Sequence, residues 1–492
     1  MLAIAGVAPA TAAVQNHELA DDARAAMEKA TAYIRSIATE GGYLWRYSPD
    51  LKERAGEEPA TATQIWVQPP GTPSMGMAFL RAYEATGDAR YLDVAKAAAD
   101  ALAAGQFESG GWDYRVDFDP AESAKRYRRI DVGRISAAEA AKRYNLSVYD
   151  DDNTQSALRF LVAVADAAKD STEPRDLRIR EARDYGLAKL IEAQRPNGGW
   201  PQAWNGRPVN PADYPVQPAR FPAEWPRTYP KQKYYSCYTL NDNTQRDCIL
   251  ALLDAARRLG RPEYRAAALQ GGDFLLHAHL PEPQAAWAQQ YNAQMEPAWA
   301  RSFEPPAVCS SESSGAMRVL VDLYLETGDE KYLRPIPRAI AWLQRSEIAP
   351  GRWARFYEMG TNRPIYGDRD GTIHYQVEEL SPERRTGYGW QGGFGVAGAV
   401  AYYENVTKAG RAAWLDRKET APPTGRQGTA GAQSLEPRVR AVLAALDAQS
   451  RWIARSRGAE RIQTRLFIEH LGVLCDYLEA TRRQQITTTP SS

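Results

Sequence analysis

The 492-residue chain has few of the residues that bind transition metals: four cysteines, Cys237, Cys248, Cys309 and Cys475, and five histidines. No two cysteines stand in a CxxC spacing, no HExxH occurs, and Cys and His nowhere group. That argues against zinc, which needs such groupings. The cysteines read as buried free thiols, and His277 and His279 as packing at a helix end. Net charge is also absent, because 61 basic residues balance 61 acidic ones. A nucleic-acid surface needs a basic excess or stripe, so that class is set aside. A local arginine cluster for an anionic ligand is still allowed on a neutral chain. No apolar run reaches the roughly 18 residues of a membrane span. The opening Met1–Ala13 is apolar and ends in small residues, like the later part of a secretory leader without its basic start. The expectation is a secreted or periplasmic monomer that binds neither membrane nor nucleic acid. Strand signals are sparse, confined to Trp353–Tyr357 and Thr372–Tyr375.

What the chain has in quantity is a recurring unit. Helices rich in Ala and Leu, apolar at three- and four-residue spacing, end in a Gly-Gly-aromatic turn. Examples are the helix from Asp21 to Gly41-Gly42-Tyr43, Tyr91–Gly105 before Gly110-Gly111-Trp112, and Tyr185 onward to Gly198-Gly199-Trp200. A fourth, Ala339–Glu347, leads to Gly351-Arg352-Trp353. Other helices, Met75–Thr86 and Met317–Thr327, are each followed by Gly-Asp: the glycine caps one helix and the aspartate begins the next. Asp152-Asn153-Thr154-Gln155 recurs 90 residues later as Asp242-Asn243-Thr244-Gln245. Long repeats built of helix pairs predict an all-α fold, an (α/α) toroid of helical hairpins with a few short strands and long loops.

The organisation expected is a leader-like or disordered stretch 1–16, N-terminal hairpins 17–140, a catalytic region 141–419, a linker 420–436, a helical segment 437–483 and a disordered tail 484–492. Residues 203–235 are rich in Pro and aromatics and read as a long loop, the kind of segment that carries binding surfaces. With 13 Trp and 26 Tyr, Trp200, Trp204, Trp287 and Tyr388 are candidates to stack on sugar rings, Trp287 first among them. From residue types alone a glycosidase with paired carboxylates drawn from Asp242, Glu312 and Glu358 is also open, as are a cyclase-like toroid and a non-catalytic carbohydrate-binding protein.

Five ordered strings resemble the family-10 pectate lyases over residues 145–400. They are Gln194–Gln202, Tyr234–Asp242, Pro297–Pro306 with Ser311-Glu312-Ser313, Trp353–Glu358 with Thr361–Tyr366 and Arg369-Asp370-Gly371, and Glu383–Tyr388. The resemblance implies an (α/α) toroid that cleaves polygalacturonate by calcium-assisted β-elimination. In that reaction a base removes the C5 proton of a galacturonate and the 4-oxygen leaves, while positive charge offsets the carboxylate and the enolate-like transition state. By position Arg301 resembles the family's base, and Arg355 and Arg369 its substrate-binding arginines, suited to gripping carboxylates with two hydrogen bonds. Trp287 and Tyr388 are placed with the substrate. An arginine acting as base is expected to lie among other cations and away from partnering carboxylates. Asp242 and Asp150 resemble the family's acidic residues, with Asp151 and Asp152 as alternatives, because this chain's Asp150–Gln155 motif is two residues shorter than the family pattern. Calcium, which takes oxygen ligands, is the implied metal.

Overall fold

Each indole in the Gly-Gly-aromatic turns finds its hydrogen-bond partner on the helix just before it, and this contact explains the repeat. In the computed structural model, which describes residues 9–420, 431–456 and 458–488, Nε1 of Trp112, Trp200, Trp353 and Trp452 donates to the carbonyls of Leu102, Leu190, Leu343 and Val442, at 2.8, 2.9, 2.7 and 3.0 Å. Each carbonyl lies ten residues upstream; Trp287 reaches Leu275 at 2.8 Å. All five carbonyls belong to the last turn of a helix, where intrahelical donors run out. A buried indole also needs a partner for its N–H. One contact therefore satisfies both groups and folds the chain back into the next helix.

Among the described residues the helices of ten residues or more are α1 (Pro9–Ser36), α2 (Thr72–Thr86), α3 (Ala89–Gly105), α4 (Asn153–Ala167), α5 (Pro174–Glu192), α6 (Thr244–Leu259), α7 (Pro262–His277), α8 (Ser310–Thr327), α9 (Ile336–Arg345), α10 (Val396–Ala409), α11 (Arg411–Thr420), α12 (Ala432–Ala444) and α13 (Thr464–Thr488). Among the described residues α13, α2, α4, α6, α8 and α10 pack side by side in that order as an inner array. Outside it, α3, α5, α7, α9 and α12 pack on their inner neighbours, and α1 packs on α13 and α12. The fold is an (α/α) toroid. The first three helices are part of the ring, with α2 seated between α13 and α4. The Thr-Gly-Asp turns behave as expected: Gly87 and Gly328 are left-handed caps at φ 73° and 76°, and Asp88 and Asp329 accept hydrogen bonds from the N–H groups of Arg90 and Lys331.

Several boundaries differ from the expectation. Helix α1 starts at Pro9, inside the stretch read as leader-like, because Pro in a first turn followed by alanines favours a helix; residues 1–8 lie outside the described residues. Helix α12 starts at Ala432, within the segment read as linker, because Ala432, Leu435 and Val439 are buried against the ring. Helix α13 continues to Thr488, into the segment read as tail. All four cysteines are free thiols, and three of them are buried. His279 packs edge-on against Trp287, with ring centres 4.8 Å apart.

The turns from outer to inner helices carry short strands on one rim. Ser147–Val148 pairs with Ala203–Trp204, Tyr238–Thr239 with Gln290–Tyr291, and Trp353–Ala354 with Gln391–Gly392. A small antiparallel sheet of Val308–Cys309, Phe356–Tyr357, Pro364–Gly367 and Ile373–His374 has its own core of Phe303, Phe356, Ile365, Tyr366, Leu380 and Trp390. A Cβ on Gly367 would stand 2.4 Å from the Phe303 carbonyl, so only glycine lets this sheet lie against the loop carrying Arg301.

Candidate active site

At the rim, three turns place a carboxylate in the same register. Val148 N donates to Trp112 O, Thr239 N to Trp200 O and Cys309 N to Trp287 O, at 2.9, 3.3 and 2.8 Å. Three residues beyond these bonds stand Asp151, Asp242 and Glu312. Asp151-Asp152 and Asp242-Asn243 are each a pair of left-handed residues, φ 52° and 57° against 48° and 63°, immediately before an inner helix. Asp and Asn tolerate that conformation better than most residues. The carboxylates therefore sit at helix N-termini, where backbone dipoles favour negative charge.

Asp150, Asp151 and Asp242 offer oxygens that all lie within 4.8 Å of one another, and this acidic triad is able to hold a metal ion. Gln202 Nε2 donates to Asp150 Oδ2 at 2.5 Å and Gln68 Nε2 to Asp151 Oδ2 at 3.0 Å. Asp150 Oδ1 is buried with no hydrogen-bond partner. An orphaned buried carboxylate oxygen in an all-oxygen donor set fits a hard cation. Crowding has the matching electrostatic effect. Burial, then the charges of Asp242 and Asp151, push Asp150 up to about 8. Burial, then Asp242 and Glu57, push Asp151 up to about 6. Burial raises Asp242 as well, against the opposing charges of Arg301 and Arg355. Glu312, buried and accepting from Ser311 Oγ at 2.7 Å, is pushed up to about 8 by burial and then by Asp242. Asp152 stands apart, ion-paired with Arg159.

The arginines gather beside the triad around two aromatic rings. The guanidinium of Arg301 lies 4.9 Å from the ring centre of Phe303 and 5.9 Å from that of Tyr388; Arg355 lies 4.8 Å from Tyr388 and Arg369 5.4 Å from Phe303. Arg355 is held by Gly389 O at 2.9 Å and Ser311 Oγ at 3.3 Å. Arg369 is exposed and bonded through two nitrogens to Glu383 at 3.0 and 3.1 Å. Arg301 and Arg355 both act on Asp242, so Arg301, Arg355, Asp150, Asp151 and Asp242 share one centre, with Arg369 at its edge.

Three expectations are corrected. Arg301 does lie among other cations, but it is not away from carboxylates. Its Nε and Nη2 donate to Glu304 at 2.7 and 2.6 Å. Burial opposes the charge of Arg301, but the Glu304 contacts outweigh it and hold the guanidinium above its usual range. Trp287 is not a sugar platform: it is fully buried and serves as one of the indole ties described above, as does Trp200, while Trp204 is 3% exposed. Tyr388 belongs to the site but is not open, since Arg355 lies over its ring and its hydroxyl donates to Glu304 at 2.8 Å. Glu304 is a site residue that the sequence reading does not name, and Glu312 enters there only as a possible glycosidase carboxylate. The signals for them were the Arg-x-x-Glu spacing and the repeat of the rim register.

Arginines and carboxylates gathered at one rim of an (α/α) toroid define a centre for an anionic substrate. The sequence profile of the pectic acid lyase family matches residues 121–352 and 343–397, more than half of the chain, and the chain belongs to that family. The family makes it a polysaccharide lyase rather than a glycosidase. Among curated proteins no match is found. Solved structures similar to it include the family 10 polysaccharide lyase from Cellvibrio cellulosa, 20% identical, covering 69% of this chain and 98% of its own with a TM-score of 0.45. Others are cellobiose 2-epimerase from Spirochaeta thermophila DSM 6192, 12% identical over 97% and 100% with a TM-score of 0.42, and a GH76 α-mannanase from Bacteroides thetaiotaomicron, 8% identical over 94% and 97% with a TM-score of 0.40.

Proposed function

We propose that this lyase cleaves polygalacturonate by β-elimination at the rim centre, with Asp150, Asp151 and Asp242 holding calcium. The observation that carries the reading is that Arg301 and Arg355 share the ring of Tyr388 and both act on Asp242. Bound calcium would supply positive charge close to a uronate carboxylate, which lowers the cost of removing the neighbouring C5 proton. Arg355, with its Nη2 unpartnered among the described residues, grips that carboxylate. Arg369, on the exposed edge, meets the next uronate along the chain. Arg301 first gives one Nη1 proton to solvent and, as the neutral guanidine, takes the C5 proton on Nη1, which has no hydrogen-bond partner among the described residues, while Nε and Nη2 stay on Glu304. The C4–O bond then breaks, C4=C5 forms, and the leaving oxygen takes its proton from solvent. A polymeric substrate does not cross a membrane, and together with the leader-like opening this supports export.

The test is polygalacturonate incubated with calcium or with EDTA, reading ultraviolet absorbance of the unsaturated product. Activity in calcium and its loss in EDTA are expected, with Arg301→Ala lowering kcat by about 10²–10⁴-fold. Absence of unsaturated product in calcium overturns the activity; full activity of Arg301→Ala overturns the base assignment alone.

A further inference from the structure

We propose that Glu304 is the positioning residue of this centre: one buried carboxylate holds Nε and Nη2 along one edge of the Arg301 guanidinium and leaves the third nitrogen, Nη1, for the substrate. The inference rests on the reading of Arg301 as base. The Arg301 side chain is 44% exposed, whereas that of Glu304 is 1% exposed. Glu304 Oε2 accepts from the backbone N of Arg301 at 3.1 Å and from Nε at 2.7 Å, and Oε1 accepts from Nη2 at 2.6 Å and from the Tyr388 hydroxyl at 2.8 Å. The turn closes on itself, with Glu304 N donating to Arg301 O at 2.9 Å. A long, flexible side chain is thereby set in one orientation before substrate arrives, which is what positioning contributes to a rate. Phe303, between them in sequence, is buried beneath the guanidiniums of Arg301 and Arg384, the latter 4.4 Å away, so the turn is anchored in the small sheet's core.

The same contact has an electrostatic side. A carboxylate on the guanidinium favours its protonated form, so Glu304 aims the base and also sets the pH at which it accepts a proton. The groups facing the pair are Tyr388, whose ring Arg355 shares, Glu312, Tyr234, and Arg369 with its partner Glu383. Asp150, Asp151 and Asp242 of the triad also feel the charge of Arg301. Among these, Glu304 is the carboxylate in direct contact with Arg301.

The experiment compares Glu304→Gln, Glu304→Asp and wild type in the calcium-loaded enzyme, measuring kcat and KM across pH. Gln keeps the shape without the charge: its acid limb is expected to move down by about one pH unit. Asp keeps the charge but retracts it: kcat is expected to fall about 10²-fold with KM little changed and the limb unmoved. Should the Gln variant not fold, Tyr388→Phe reads the same coupling, because losing a donor concentrates charge on Glu304 and moves the limb upward. Folded variants whose acid limbs all coincide with wild type overturn the proposal. An active wild type with an inactive Arg301→Ala keeps the base assignment standing in that case.

Discussion

Asp151, not Asp152, is the counterpart of Asp242: each is the first of two left-handed residues before an inner helix, 91 residues apart. The letters of the sequence repeat at 90, pairing Asp152 with Asp242. The slip of one residue decides which carboxylate joins Asp150 and Asp242 in the acidic triad and which turns to Arg159.

Asp151→Asn and Asp242→Asn are therefore expected to lose the calcium requirement and the activity together, while Asp152→Asn keeps both. The cost at Asp152 is stability, about 1–3 kcal/mol, because Arg159 loses its charged partner. Calcium titration by calorimetry and thermal unfolding separate the two classes.

Calcium should also stabilise the fold. At about 100 times its Kd, a ligand that binds only the folded state adds about 2.7 kcal/mol. A rise in Tm with calcium that disappears in Asp242→Asn is the expected result; an unchanged Tm at any calcium concentration contradicts the triad as its site.

Without metal, pH should act on stability through the same carboxylates. Unfolded, they titrate near pH 4; folded, Asp151 stands at about 6 and Asp150 at about 8. A raised folded value means the native state binds more protons than the unfolded state in this window. Their contribution is therefore full below about pH 4 and is lost as pH rises through about 6 and 8. In EDTA, Tm is expected to fall across that window, and Asp150→Asn or saturating calcium to flatten the slope.

Arg355 and Arg369 should not weigh equally on the substrate. Arg355 is half-buried and its charge reaches the triad, so losing its carboxylate contacts is expected to cost about 1.5–3 kcal/mol in kcat/KM. Arg369 is exposed and already occupied by Glu383, so Arg369→Ala is expected to cost no more than about 1 kcal/mol. Equal losses in the two alanine variants would contradict this ranking.

The ring was legible because its turns are chemically constrained. An indole buried after Gly-Gly needs an acceptor, and Gly-Asp caps one helix and starts the next, so these strings imply helix pairs wherever they occur. The centre was legible as a set of residue types, and Arg301, Arg355, Asp150, Asp151 and Asp242 do converge. The role of Trp287 is not legible, because a buried tie and an open platform look identical as one letter. Glu304 is hidden for a similar reason: a glutamate three residues after an arginine usually marks an ordinary surface pair. The register of Asp151 depends on backbone angles that identical side-chain strings do not reveal.

The indole ties of the outer helices make each turn of the rim a separately fastened part. Trp112 and Trp200 anchor their own turns to the ends of their own helices, so a residue gained or lost in one loop stops at the next tie. Such a ring can shorten the loop that carries the acidic triad, as between Asp150 and Gln155, and leave the neighbouring arginine turn in place.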